Sequence, residues 1–399
     1  MLRRPRPARH RPTSTHGHLP RRESPRPHRV WLRRRHRDQP GGDQRRRSTG
    51  HHPYQRGPPV STSIEWTDET WNPLSGCSKV SPGCDHCYAE TIAHRFAGTT
   101  AYPDGFKVTL RPERLDQPLR WTRPRMVFVN SMSDLFHDDV PDDYIIDVFA
   151  VMAMARRHTF QVLTKRHGRM RSLLSDPGFS SELWERIGIV KYPDVPTAAW
   201  PLPNVWLGVS TENHQWASIR IPALLDTPAA VRFISAEPLL GGINLCACTG
   251  LDNRACPLHA DHAHLDWVIV GGESGPRARP MHLNWARGLR DQCIAAGVPF
   301  LFKQHGQWSP VAPLDAAGRA DYRNAHTIAD DGTLYAPGDL AYPDGPRYGE
   351  ALRAGHNRAH LHTTFRVGKK AAGRELDGRL WDQYPTALHP RPAAARSAR

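Results

Sequence analysis

No apolar stretch in these 399 residues reaches the roughly 18 needed to cross a bilayer as a helix. The longest, around Ile145–Ala155, is interrupted by Asp147. The chain is therefore expected to be soluble and cytoplasmic, with no membrane partner. Cysteine is scarce, at seven residues, which excludes a secreted disulfide scaffold. Lysine is missing from residues 1–60, where 17 Arg stand against three acids, Glu23, Asp38 and Asp43. That leader also has little to fold with, holding nine apolar residues and ten Pro. Such a segment cannot bury enough surface to offset its chain entropy. It also lacks the apolar core of a signal peptide.

The formal charge of +15 is almost wholly the leader's, which carries +14. The remaining 339 residues hold 37 bases and 36 acids. A nucleic-acid argument from overall charge thus does not extend to the body. The leader reads as disordered, or as translated upstream sequence with the native chain starting at Val60. An Arg-rich transit segment or a nucleic-acid-binding arm is the functional alternative.

What is present is a strand-then-helix rhythm. Short apolar runs occur at 126–130, 160–164, 204–210, 231–235, 267–271 and 299–304. Helical patterns at 141–156, 213–225 and 282–296 lie between some of them. This predicts an α/β fold, a parallel (β/α) barrel, partial or full and TIM-like. The expected organisation is a leader over 1–60, a barrel domain over 61–308, an irregular C-terminal extension over 309–385 and a disordered tail over 386–399. A Cys/His-containing insertion, 246–264, interrupts the barrel. Each strand runs into polar residues, as at ligand-binding carboxyl ends of parallel strands.

The strongest chemical signal is Cys77-x6-Cys84-x2-Cys87 in GCSKVSPGCDHCY. Three thiolates on one Gly/Pro-rich loop can converge on one metal centre. Structural zinc needs four ligands, and His86 could supply the fourth. A [4Fe–4S] cluster held by three Cys instead leaves one iron open to a ligand. The second group, Cys246, Cys248, Cys256 and His259, with His262 and His264 following, sits in a loop poor in apolar residues. Zinc is expected to staple that insertion, with an auxiliary iron–sulfur cluster as the alternative.

The run SIEWTDETWNPLSGCSKVSPGCDHCYAE resembles the opening of an uncharacterised phage and bacterial family, the phage gene product thirty-seven/sixty-eight family, a domain of unknown function. The similarity continues through FVNSMSDLFHDDVP, FQVLTKR, VWLGVSTEN, FISAEPLL, WVIVGGESGPRARPMH, GVPFLFKQHGQW and RVGKKAAGRELDGRLWDQYP, covering nearly all of 61–385. That family resembles radical S-adenosylmethionine barrels. The resemblance implies a [4Fe–4S] cluster on Cys77, Cys84 and Cys87, S-adenosylmethionine on its open iron, and an external electron donor. The spacing departs from the usual C-x3-C-x2-C of those enzymes, and a Gly-Gly-Glu element is missing where they carry one.

Candidate cofactor-binding residues are the strand-end groups Asn130, Ser131, Asp134, Glu212, Glu237, Gly272, Glu273 and Lys303. Lys165, Arg166, Arg277 and Arg279 are further candidates for holding a carboxylate or phosphate, so a nucleotide or nucleic acid is an admissible substrate. The leading expectation is a radical S-adenosylmethionine-like enzyme of unknown substrate. The alternative is a non-catalytic, zinc-stabilised phage or mobile-element protein that binds nucleic acid or a protein partner.

Overall fold

The computed structural model describes residues 62, 64–188, 200–246, 258, 263–335, 341–342, 345–346 and 349–385. The chain divides into two units, 1–56 and 57–399, the first lying wholly outside the described residues. Among the described residues no helix is long and apolar enough to cross a membrane.

Seven strands form one parallel sheet in sequential order: β1 (Glu69–Trp71), β2 (Met126–Val129), β3 (Thr159–Thr164), β4 (Val205–Ser210), β5 (Val231–Ala236), β6 (Trp267–Gly271) and β7 (Phe300–Gln304). The carboxyl end of β1 leads into the cysteine loop and α1 (Tyr88–Arg95). Crossovers are made by α2 (Asp142–Met154), α3 (His167–Leu174), α4 (Pro177–Ile187), α5 (His214–Leu225) and α6 (Leu283–Ala296). The helix boundaries have local causes. Asp142 and Asp143 open α2 next to Pro141, the Asn213 side chain caps α5, and Gly297 ends α6 in the left-handed conformation.

Alternation sorts each strand into two faces. Val127, Val129, Phe160, Val162, Leu207, Val209, Ile234, Val268, Val270, Phe300 and Phe302 join the helices in one buried cluster. The opposite face carries Phe128, Trp206, Phe233 and Trp267, all buried. Trp66, just ahead of β1, packs on Phe128 of β2 at 4.6 Å and on Trp267 of β6 at 6.2 Å between ring centroids. In a flat sheet those two strands would lie about 19 Å apart, at four strand spacings. One ring bridging them requires the sheet to curl, and the result is a half-barrel with an aromatic interior. Gly208 is part of this packing, since a Cβ there would meet the Phe233 ring at 2.5 Å.

The partial form of the expected barrel is the one observed. The free edge of β7 is covered by the C-terminal segment, with Phe302 N donating to Trp381 O and Gln383 N donating to Phe300 O. The expectation of irregular structure after residue 308 needs correction. Strands Trp308–Ser309, Ala325–Ala329, Leu334–Tyr335 and Leu361–Arg366 form a four-stranded antiparallel sheet. Its Gly- and Asp-rich connections hid it, and its longest strand, LHTTFR, is mostly polar. Of the insertion, Cys246 is disulfide-bonded, while Cys248, Cys256, His259 and His262 lie outside the described residues. The leader and tail expectations fall outside them too.

Candidate functional site

Cys77, Cys84 and Cys87 are free thiols, each half-buried. Their loop is shaped by backbone constraints. Gly76 adopts φ 89°, and a Cβ there would fall 2.0 Å from Lys107 O. Pro82–Cys84 forms a 3-10 turn, and Cys87 is the residue ahead of α1.

The loop lies across the carboxyl ends of the strands and is tied to four of them. At the end of β2, Tyr88 OH donates to Ser131 O at 2.5 Å. At the end of β3, Arg166 Nη2 donates to Ser78 Oγ at 2.7 Å, and Ser78 also meets His137 Nε2 at 2.8 Å. At the end of β4, Gly83 N donates to Glu212 Oε1 at 3.4 Å. Beyond β6, His86 Nδ1 lies 3.1 Å from Glu273 Oε2. Arg279 completes that last contact, donating to both Glu273 oxygens, to Asp85 at 3.2 Å and to Pro82 O at 2.9 Å. Four anchors on a short loop fix where its sulfurs stand.

Electrostatics follow from this burial. Burial, and then the Asp134 carboxylate, push the Cys77 thiol up to about 12. Burial alone would raise Glu273, but hydrogen bonds from Arg279 and His86 outweigh it and hold the carboxyl below its ordinary range. Burial also lowers the Arg220 guanidinium and the His137 imidazole.

The strand-end residues separate into braces and open groups. Asp134 is a brace, accepting from Thr164 Oγ1 at 2.6 Å and from the Lys165 and Phe136 amides at 3.0 Å. Ser131 Oγ is held by Asn72. Glu212 pairs with Arg220 at 2.8 Å with both side chains fully buried, and Arg220 stacks over Trp216 at 4.3 Å. Gly272 is a packing glycine, because a Cβ would stand 2.1 Å from His305 O. Glu237 accepts from Ser235 at 3.1 Å and reaches Lys303 at 3.2 Å. Glu237 comes from β5 and Lys303 from β7, so the pair spans β6. It can do so because Gly271 has no side chain; a Cβ there would meet Glu237 Oε1 at 2.5 Å.

Among the described residues some buried groups have no hydrogen-bond partner. Asn130, at φ 64° and 3% exposed, has neither amide atom hydrogen-bonded. Thr211 Oγ1, Arg220 Nη2 and Glu237 Oε1 also make no directed hydrogen bond. The Glu237–Lys303 contact is therefore Coulombic rather than a well-aligned bond. Among the described residues the Lys165 ammonium hydrogen-bonds to Ser210 Oγ alone, at 3.2 Å. Buried groups left unpaired are costly, and at the mouth of a barrel they mark a place for a ligand.

A family model described as a protein of unknown function, DUF5131, matches residues 61–385. The chain belongs to that family. Comparison with curated proteins and with solved structures found no match for this DUF5131 chain. Cys77, Cys84 and Cys87 lie on one loop that is anchored to strand ends, and Asn130, Glu212, Glu237, Glu273 and Lys303 stand at or just beyond the carboxyl ends of strands of the same sheet. Arg220 was not foreseen; a cation within the apolar run of α5, IRIPALL, was the available signal. Among the described residues no three His, Cys, Asp or Glu side chains gather tightly enough to hold a single metal ion.

Proposed function

We propose that this DUF5131 chain is a [4Fe–4S] enzyme of the radical S-adenosylmethionine kind, working at the carboxyl-end mouth of the half-barrel. The observation that carries the reading is the pinning of a three-thiol loop to four strand ends, above buried polar groups that lack partners. The donor set fits such a cluster in three respects. The thiols are free, they number three, and each would take its own iron, so they need not crowd around one ion. A mononuclear zinc site fits less well, because among the described residues no three Cys, His, Asp or Glu side chains gather around one point.

When bound, such a cluster supplies one electron to the sulfonium of S-adenosylmethionine, which releases a carbon radical. The chain's own residues do the rest. Cys77, Cys84 and Cys87 would hold the cluster. The Glu212–Arg220 and Glu273–Arg279 pairs fix the loop that presents it. Asn130 and Glu237 offer hydrogen-bonding atoms toward the interior, and Lys165 offers a cation. The aromatic floor of Trp66, Phe128, Trp206, Phe233 and Trp267 closes the other end against water.

Anaerobic purification of the chain tests this. The expected result is a brown protein absorbing at about 400 nm, with about four irons per chain. Reductive cleavage of S-adenosylmethionine, lost in Cys84→Ala, is expected with it. A colourless protein with stoichiometric zinc would overturn the reading in favour of a zinc-stabilised binding protein.

A further inference from the structure

The carboxylates around the mouth are engaged: Glu212 with Arg220, Glu237 with Lys303, Glu273 and Asp85 with Arg279, and Asp138 with Arg166. Several cations beside β6 are not. Arg277 and Lys370 are exposed and have no ion-pair partner among the described residues. Arg366 is exposed, and among the described residues its side chain reaches only the carbonyl of Pro276. A backbone relay keeps these residues together: Val367 and Gly368 donate to Gln307 O, and Gln307 N donates to Glu273 O. The segment RVGKK therefore lies against the loop that carries Glu273, Arg277 and Arg279. The body of the chain is close to neutral, so this basic lip is a local concentration of charge.

The other flank of the cysteine loop is apolar. Tyr88 and Ile92 of α1 and Phe96, which caps its C-terminus, follow one another at four-residue spacing and stay 51%, 37% and 47% exposed. They form one stripe on that helix. Tyr88 is fixed at its base by its bond to Ser131 O at the end of β2. Unpaired cations on one flank of the cysteine loop and exposed rings on the other are the kinds of group that hold a single strand of nucleic acid. The cations track phosphates, and any base can stack on a ring.

We propose that this mouth receives single-stranded nucleic acid as its substrate, with phosphates on Arg277, Arg366 and Lys370 and bases against Tyr88 and Phe96. The proposal rests on the reading of the mouth as the reactive site, but its test needs no cluster and no turnover. Bulk affinity is an unsuitable readout, because the 17 Arg of residues 1–60 would hold any polyanion. Site-resolved amide exchange on the full chain, with and without a mixed-sequence single-stranded oligonucleotide, avoids this.

The expected result is slowed exchange in 86–97, 274–280 and 366–373. The protection should be lost in the double variant Arg277→Glu/Lys370→Glu and weakened about tenfold in oligonucleotide titre by Phe96→Ala. Both sites are exposed, so an unchanged thermal midpoint shows that the variants fold. Absence of protection in these segments, or equal protection in the double variant, would overturn the proposal. Equal protection by a mononucleotide at the same phosphate concentration would also overturn it, assigning the lip to a free nucleotide. If iron analysis fails while this protection holds, the chemistry is wrong and the ligand stands.

Discussion

The same seven strands present two different interiors along their length. Toward their amino ends the concave face is filled by Trp66, Phe128, Trp206, Phe233 and Trp267, ring against ring at 4.6–6.3 Å. Toward their carboxyl ends the same face carries Asn130, Lys165, Ser210, Ser235, Glu237 and Lys303, two of them, Asn130 and Glu237, with atoms that lack a partner among the described residues. The outer face is mainly apolar, with Thr164 and Gln304 at the carboxyl ends of β3 and β7. Had the polar residues served only to end the strands, they would be paired off like Asp134. That some are left open while the floor is closed supports the proposal that one end keeps the fold and the other holds a ligand. This is the division of labour general to parallel barrels.

The sharpest way to break this division is to remove a charge from the upper end. Arg220→Met leaves Glu212 fully buried with no counter-charge. A loss of about 3–5 kcal/mol is expected in urea unfolding. The double variant Arg220→Met/Glu212→Gln should recover a large part of it, since the uncompensated charge is then gone. If the single variant costs under about 1 kcal/mol, the pair is water-exposed in solution and the upper end is looser than described.

The lower end is tested by crowding it. Gly208→Ala puts a Cβ 2.5 Å from the Phe233 ring, and rings packed on both sides have nowhere to turn. Overpacking of this kind costs about 1–3 kcal/mol. Alkylation rates of Cys77, Cys84 and Cys87 in the metal-free chain should stay unchanged in native buffer. A change in those rates would show that floor and mouth are one mechanical unit.

How far these two ends were legible in the sequence depended on what each needed. Strands β2–β7 were visible because both faces are buried, which makes each a short continuous apolar run. The β1 strand, ETW, was not visible, being three residues long with a Glu among them. The thiol loop and the strand-end polar groups could be read from residue type and place. What could not be read were the roles that depend on register between neighbours. Gly208 yields to a ring on β5, and Gly271 lets Glu237 of β5 reach Lys303 of β7. No spacing within one strand contains that information. Four of the seven strands end on a group that anchors the cysteine loop, the Ser131 carbonyl and the Arg166, Glu212 and Glu273 side chains, and that too required the fold.

A region outside both ends supplies a control. His362, in the antiparallel sheet, is lowered from 6.5 to about 4 by burial, then by the charges of His282, Arg287 and His305. His282 is lowered as well, chiefly by burial. Between these values the unfolded chain binds the proton that the folded chain refuses. The contribution is therefore fully present above about pH 6.5 and lost as pH falls toward 4. Urea midpoints at pH 8 and pH 5 should differ for the native chain, and the difference should shrink in His362→Gln. The effect should be no larger than that of Gly208→Ala, because only part of the shift is titrated by pH 5. A slope unchanged by the substitution would place the acid sensitivity elsewhere, with the mouth the first place to look.

The smallest expected effect concerns the rim of the mouth. Lys79 pairs with Glu90 at 3.1 Å with half of its side chain exposed. An exposed pair of this kind contributes about 0.2–1 kcal/mol and is screened by salt. Lys79→Met should therefore leave the urea midpoint almost unmoved, and 1 M salt should erase what difference there is. The loop should keep its place, since its position is set by Glu212, Glu273, Arg279 and Ser131 rather than by Lys79. Alkylation of Cys84 and Cys87 distinguishes these cases. If Lys79→Met accelerates it as strongly as Arg279→Met does, a surface contact is as important as the buried anchors. The contrast between a fixed mouth and its solvated rim would then be lost.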